Sequence, residues 1–307
     1  MASNEGFESS IPAWVINDPI NAWTRSTDYA QAGSYSLKSG AIADSKHTQF
    51  DCLLNVSSSG TFSFYHRTSS ESGYDKLFFF IDGALQTGFP ASGTPGSFTQ
   101  FSTTLGTGLH CLQWIYAKDS GGSSGNDAVY IDTIVFPANS DVTDYGESFE
   151  SGVPGDWTND GTYPWTADTT QARFGSQSVK SGGSGVGGVT STLQTTETTG
   201  AGEAYCWMAT SSEPGYDFTK WYIDGVEKAA LDGIAGENAD GAGFIFFKET
   251  VTAASHTFKW EFTKDGGGDY GDDQGNLDGF FFPAAGGATG KSNPLYGPFG
   301  GPLAGVL

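Results

Sequence analysis

The chain has 307 residues, room for about two domains of ordinary size, and a formal net charge of −21 at pH 7. Only 14 Lys and Arg stand against 35 Asp and Glu, which excludes nucleic-acid binding by phosphate neutralisation and disfavours anionic membrane surfaces. With 45 Gly and 14% aromatic residues, short β-branched and aromatic runs alternate with Gly, Ser, Asn and Asp, the composition of an all-β protein.

In chain order, the start MASNEGFESS has neither a basic n-region nor an apolar h-region, so no signal peptide is read there. Phe7-Glu8-Ser9 then opens a pattern that Phe149-Glu150-Ser151 repeats 142 residues later. Pro12, Trp23-Thr24, Gly33-Ser34 and Lys38-Ser39-Gly40 recur at the same offset as Pro154, Trp165-Thr166, Gly175-Ser176 and Lys180-Ser181-Gly182. A constant offset of this kind marks a duplicated domain.

The copies diverge after Gly40. Repeat one offers a plausible strand over Gln49–Val56. Repeat two offers Gly183-Ser184-Gly185-Val186-Gly187-Gly188, which matches G-x-G-x-x-G on paper. The following VTSTLQTTETTG is a poor helix former, so the region is read as a flexible loop and a dinucleotide site is set aside.

The clearest repeated stretch is TSSESGYDKLFFFIDG at Thr68–Gly83 against TSSEPGYDFTKWYIDG at Thr210–Gly225. It reads as turn, strand, turn. Phe79 and Ile81, answered by Trp221 and Ile223, form an apolar face assigned to the core. The opposite face carries Phe78 and Phe80 in repeat one but Lys220 and Tyr222 in repeat two, so it is either covered or a partner surface. Asp82 and Asp224 suit tight Asp-Gly turns.

From here the offset becomes 146 residues. Leu112, Trp114 and Tyr116 answer Phe258, Trp260 and Phe262 on one alternating apolar face, the pattern of a half-buried antiparallel strand. Lys118-Asp119 and Lys264-Asp265 close these strands and lead into acidic, glycine-rich loops. The last strands, Ile131–Phe136 and Leu277–Phe282, each end at a proline. The boundaries that follow are a first sandwich over 1–139, a second over 140–284 and a Gly/Pro-rich arm over 285–307. Leu295, Tyr296, Phe299, Leu303 and Leu307 space large apolar residues along that arm, which suits docking onto a partner. No run approaches the roughly 20 apolar residues of a membrane span, so no membrane insertion is expected.

Cys52, Cys111 and Cys206 are too few and too odd for a disulfide framework and read as buried thiols. His110 and His256 are repeat partners and read as structural. No His-Glu-x-x-His, Gly-x-Ser-x-Gly or paired-cysteine spacing occurs, so an enzyme is not expected, nor an organic cofactor.

Phe-Glu-Ser, then Pro, two Trp, Gly-Ser-x-Ser-x-Lys-Ser-Gly and an Asp in a strand ending Phe-Pro resemble the cleaved-adhesin and MAM-like β-sandwiches, and more distantly calcium-bearing carbohydrate-binding modules. The resemblance implies two tandem antiparallel jelly-roll sandwiches, each able to hold a structural Ca²⁺ between Glu8 and Asp132 or between Glu150 and Asp278. For a carbohydrate-binding module, in which solvent-facing aromatics stack on sugars, Phe78, Phe80 and Tyr222 are the candidates.

An adhesin-like tandem, the absence of an export signal at this start, unpaired cysteines and a docking arm together suggest a phage virion component: capsid decoration, fibre or tail. Such a protein would be made in the host cytoplasm and attach to other virion proteins, or to its own copies, through residues 285–307. The alternative expectation is a calcium-dependent, carbohydrate-binding adhesin, extracellular or at a cell surface, that meets host glycans.

Overall fold

The structure is a computed structural model and describes residues 4–140, 142, 145–233 and 243–285. The described chain is all-β and falls into two compact units that part at Val142. Each unit is sandwich-like, with two antiparallel sheets sharing one core.

In repeat one, the sheet built on Gly60–Ser69 and Ala128–Val135 carries Ser36–Lys38 and Thr24–Ser26 on one side and Thr99–Leu105 at the other edge. The facing sheet centres on Gly108–Ala117, between His47–Val56 and Lys76–Ile81. Repeat two follows the same plan. Gly202–Ser211 and Gln274–Phe282 are central to one sheet, with Ile245–Val251 at its edge. Ser255–Thr263 lies between Thr190–Thr198 and Phe218–Ile223 in the other.

Period-two alternation sends the large residues inward. Phe50, Trp114, Phe62, Phe64 and Phe79 pack in the core of unit one, with Phe50 stacked on Trp114 at 4.5 Å. Trp157 stacks on Trp260 at 5.5 Å in unit two. All three cysteines are buried and none forms a disulfide among the described residues, and burial pushes the Cys206 thiol up to about 12.

One expectation is corrected. The threonine-rich stretch after Gly188 is not loop: Thr190–Thr198 is a strand paired along its whole length with Ser255–Thr263. β-Branched threonine suits a pleated strand, and Ser191, Leu193 and Thr195 turn inward. The glycine run ahead of it therefore leads into a strand, not into the helix that a dinucleotide site requires.

Two features repeat at the ends of the sandwiches. Asn17 brackets the backbone of Trp23, accepting its N–H at 2.8 Å and donating to its carbonyl at 2.8 Å. Asn159 does the same to Trp165 at 2.7 and 2.8 Å. The last strand of each unit bulges just after its aspartate, where Thr133 and Gly279 take φ of +51° and +70°. No helix among the described residues is long and apolar enough to cross a membrane.

Candidate functional site

The predicted acid pairs converge, each pair on one loop. In repeat one, Glu8 accepts the N–H groups of Ser34 at 3.1 Å and Tyr35 at 3.0 Å. Asp132, fully buried, accepts those of Gln31 at 2.6 Å and Ala32 at 3.2 Å. In repeat two, Glu150 accepts from Ser176 N–H at 2.9 Å, and Asp278 from Arg173 at 2.6 Å and Phe174 at 2.9 Å. Gly33 and Gly175 make this approach feasible, since a Cβ there would lie 2.4 and 2.2 Å from the glutamate carboxyl carbon.

The copies differ at one oxygen. Oδ1 of Asp132 takes the N–H of Thr133 at 2.6 Å and its hydroxyl at 3.2 Å. Oδ1 of Asp278 is buried and has no hydrogen-bond partner among the described residues. Burial pushes Asp278 well above the ordinary carboxylate range, and the nearby Glu150 charge adds to the shift. The N–H groups of Phe174 and Arg173 pull the other way.

The predicted aromatic surface is less open than its sequence suggests. Phe78 and Phe80 are half-buried, with ring centroids 6.4 Å apart. Tyr222 donates its hydroxyl to Glu261 at 3.1 Å, and the Lys259 ammonium sits 4.0 Å from its ring centre. Leu295, Tyr296, Phe299, Leu303 and Leu307 lie outside the described residues.

The exposed aromatics stand elsewhere. Tyr74 is 49% exposed and its repeat partner Tyr216 is 59% exposed. Each sits in the Gly-Tyr-Asp turn, whose aspartate is fully buried behind it. Asp75 Oδ1 accepts the Asp119 N–H at 3.3 Å, and the Ser70 hydroxyl donates to the Asp75 carbonyl at 2.9 Å. Burial pushes Asp75 up to about 6. Asp217 accepts the Asp265 N–H at 3.1 Å and hydrogen bonds from the Ser212 hydroxyl and the Glu213 N–H. The recurrence of Gly-Tyr-Asp and Lys-Asp thus has one cause: the first motif's aspartate ties to the second motif's backbone.

Buried lysines hold the neighbouring acids. Lys118 Nζ lies 2.6 Å from Asp127 and 2.9 Å from Asp44. Lys264 Nζ lies 2.6 Å from Asp273 and 2.7 Å from Asp269. The acidic loop of repeat two is therefore organised around an ammonium group.

The tyrosine pair was missed in the sequence, although its signal was in plain view as Gly-Tyr-Asp at a constant offset. Turn motifs look structural until exposure is known.

No family model and no curated relative matches the chain. Among solved structures, the tandem CBM22 domains of Xyn10C from Paenibacillus barcinonensis align at 12% identity and TM-score 0.32, over 92% of this chain and 96% of that one. Tandem CBM51 modules of a family 98 glycoside hydrolase from Streptococcus pneumoniae align at 12% identity and TM-score 0.31, over 88% and 93%. The K3 cleaved adhesin domain of Lys-gingipain from Porphyromonas gingivalis aligns at 14% identity and TM-score 0.34, over 47% and 99%. Among the described residues the chain is all-β and built of antiparallel sheets.

Proposed function

We propose that the chain is a non-enzymatic, carbohydrate-binding adhesion module with one tyrosine platform per repeat. The observation that carries this reading is the matched exposure of Tyr74 and Tyr216 on turns locked by buried Asp75 and Asp217. A lone exposed tyrosine is ordinary. Two at the same repeat position, each on a rigid turn, supply the flat apolar face and hydroxyl edge that stack on a sugar ring. Two weak sites on one chain also gain from multivalent display.

A structural Ca²⁺ fits repeat two better than repeat one. Oδ1 of Asp278 meets no donor among the described residues, and the Glu150 charge adds to the upward shift of that carboxyl. Hard oxygens of this kind suit Ca²⁺, which would fix the Arg173–Gln177 loop. In repeat one Thr133 already occupies the equivalent oxygen.

The test is a glycan array probed with the full chain and with a Tyr74→Ala/Tyr216→Ala variant, each with and without a chelator. The expected result is retention of at least one glycan class by the native chain and its loss in the double variant. Retention of no glycan, or equal retention by both proteins, overturns the proposal.

The virion reading rests on the apolar spacing of the arm over 285–307. Its test is deletion of Ala284 to Leu307. Loss of particle attachment with both sandwiches folded is expected, and unchanged attachment removes the arm from that role.

A further inference from the structure

Beside the Tyr74 turn, repeat one opens a cavity of about 370 Å³ under the loop that follows Asp82-Gly83. The cavity lies where the inner face of the sheet reaches its edge strand. His66 pairs with Thr99 and Phe64 with Phe101 across that edge. Phe89, from the overlying loop, lies 4.9 Å from the His66 ring and 5.9 Å from Phe101. Thr99, Gln100 and Ser92 supply polar groups to the lining. Ser92 also joins the cavity to the tyrosine platform, since its hydroxyl accepts the N–H of Gly73 at 2.9 Å, one residue before Tyr74.

We infer that this cavity is a saccharide-binding subsite, present in repeat one, that takes an uncharged sugar unit of a chain whose next unit rests on Tyr74. The inference rests on the carbohydrate-binding reading above and deepens it.

Three observations carry it. Among the described residues no charged side chain lines the cavity, on a chain with a net charge of −21. An acidic or basic ligand group would find no counter-charge there, whereas a neutral hydroxylated one would need none. The lining pairs aromatic walls with small neutral hydrogen-bonding groups, and its volume is near the lower end of the roughly 300–1,000 Å³ of small-molecule sites. The His66 ring makes no hydrogen bond to a side chain or backbone group among the described residues, and burial pushes it down to about 4. At neutral pH its ring therefore offers one donor and one acceptor, which matches a hydroxyl.

Repeat two is built differently at the matched register. Met208 pairs with Ile245 there, two apolar side chains in place of His66 and Thr99. The duplication thus retains the platform in both copies and the polar edge in one.

The experiment uses the full chain labelled at its histidines, titrated by NMR with cellotetraose, xylotetraose, maltotetraose and chitotetraose, and with sialyllactose against lactose. A neutral oligosaccharide is expected to shift the His66 ring signals and leave His110 and His256 unmoved. Thr99→Trp places an indole in the mouth at an exposed position and is expected to weaken binding about tenfold or more with an unchanged near-ultraviolet circular dichroism spectrum. Full affinity in Thr99→Trp with unmoved His66 signals, while Tyr74→Ala still weakens binding, overturns the subsite and leaves the platform standing. Preference for sialyllactose over lactose overturns the uncharged ligand. Binding of no saccharide by the native chain overturns the subsite together with the carbohydrate reading.

Discussion

His110 Nδ1 lies 2.7 Å from Oδ2 of Asp82, and the other carboxylate oxygen of Asp82 accepts the Cys111 N–H at 2.8 Å. Asp224 makes the same two contacts with His256 and Thr257, at 2.7 and 2.8 Å. Both aspartates adopt positive φ in their Asp-Gly turns. One side chain therefore sets the turn and clips it to the neighbouring strand. Asn tolerates the same backbone conformation but lacks the charge. Asp82→Asn is expected to destabilise unit one by about 1 kcal/mol, a charge-assisted bond discounted for partial exposure, or roughly 3 °C in midpoint. Asp224→Asn should do the same to unit two, and the two effects should add in the double variant, as they lie in separate units. Thermal denaturation followed by circular dichroism checks this.

Lys264 is the keystone of the acidic loop in unit two. Burial opposes its charge, but hydrogen bonds to Asp269 and Asp273 outweigh that and hold the ammonium above the ordinary lysine value. Its stabilising effect is therefore fully present at neutral pH and is lost as pH rises through that elevated value. Asp273 is itself buried and accepts the Gly185 N–H at 2.6 Å. Lys264→Met leaves that carboxylate without its cation, and a loss of about 3–5 kcal/mol is expected in urea denaturation of unit two.

Much of this framework is legible in the sequence because large side chains announce the alternation. Leu112, Trp114 and Tyr116 read as an inward face and all three lie in the core of unit one, but Gln113 and Ile115 on the opposite face are fully buried too, so this strand is not half-buried. Thr190–Thr198 hides because Leu193 is the single large apolar residue on its inner face, and the bulk comes from its partner Trp260. The acid pairs were legible as residues but not as a difference between copies, because the deciding atom belongs to the following residue, Thr133 or Gly279. The cavity of repeat one was not legible either. Its walls come from segments that share no motif, brought together by the pairing of His66 with Thr99 and of Leu77 with Ala91.

The bulge after Asp132 offers a direct comparison between the repeats. Thr133 holds φ at +51°, a conformation that a β-branched residue adopts at a cost of about 1–3 kcal/mol, while Gly279 adopts the equivalent bend freely. Thr133→Gly forfeits the hydroxyl bond to Asp132 at 3.2 Å but relieves that strain. A net gain of up to about 1 kcal/mol in unit one is expected. Thr133→Val keeps the branching, loses the hydroxyl and should destabilise. If both variants destabilise equally, the strain account fails.

Asp278 makes the sharpest prediction because its two states answer to different conditions. Its carboxyl is fully buried, with the folded-state value well above the unfolded one. Between those values the folded protein holds a proton that the unfolded chain has released. Without metal, stability therefore falls as pH rises above the ordinary carboxylate range, and it levels off above the folded value. Asp278→Asn removes the titrating group while retaining an oxygen that can accept the Arg173 and Phe174 N–H groups. The variant should thus show a flatter pH profile and, in chelator at neutral pH, greater stability than the native chain. Added Ca²⁺ should reverse the order by stabilising the native chain in proportion to ln(1 + [Ca²⁺]/Kd), with little effect on the variant. Calorimetric scans at pH 5 and 8, with chelator and with millimolar Ca²⁺, separate the two contributions. A native chain indifferent to Ca²⁺ would remove the metal proposal yet leave the pH prediction intact, because burial is the largest cause of this carboxyl's upward shift.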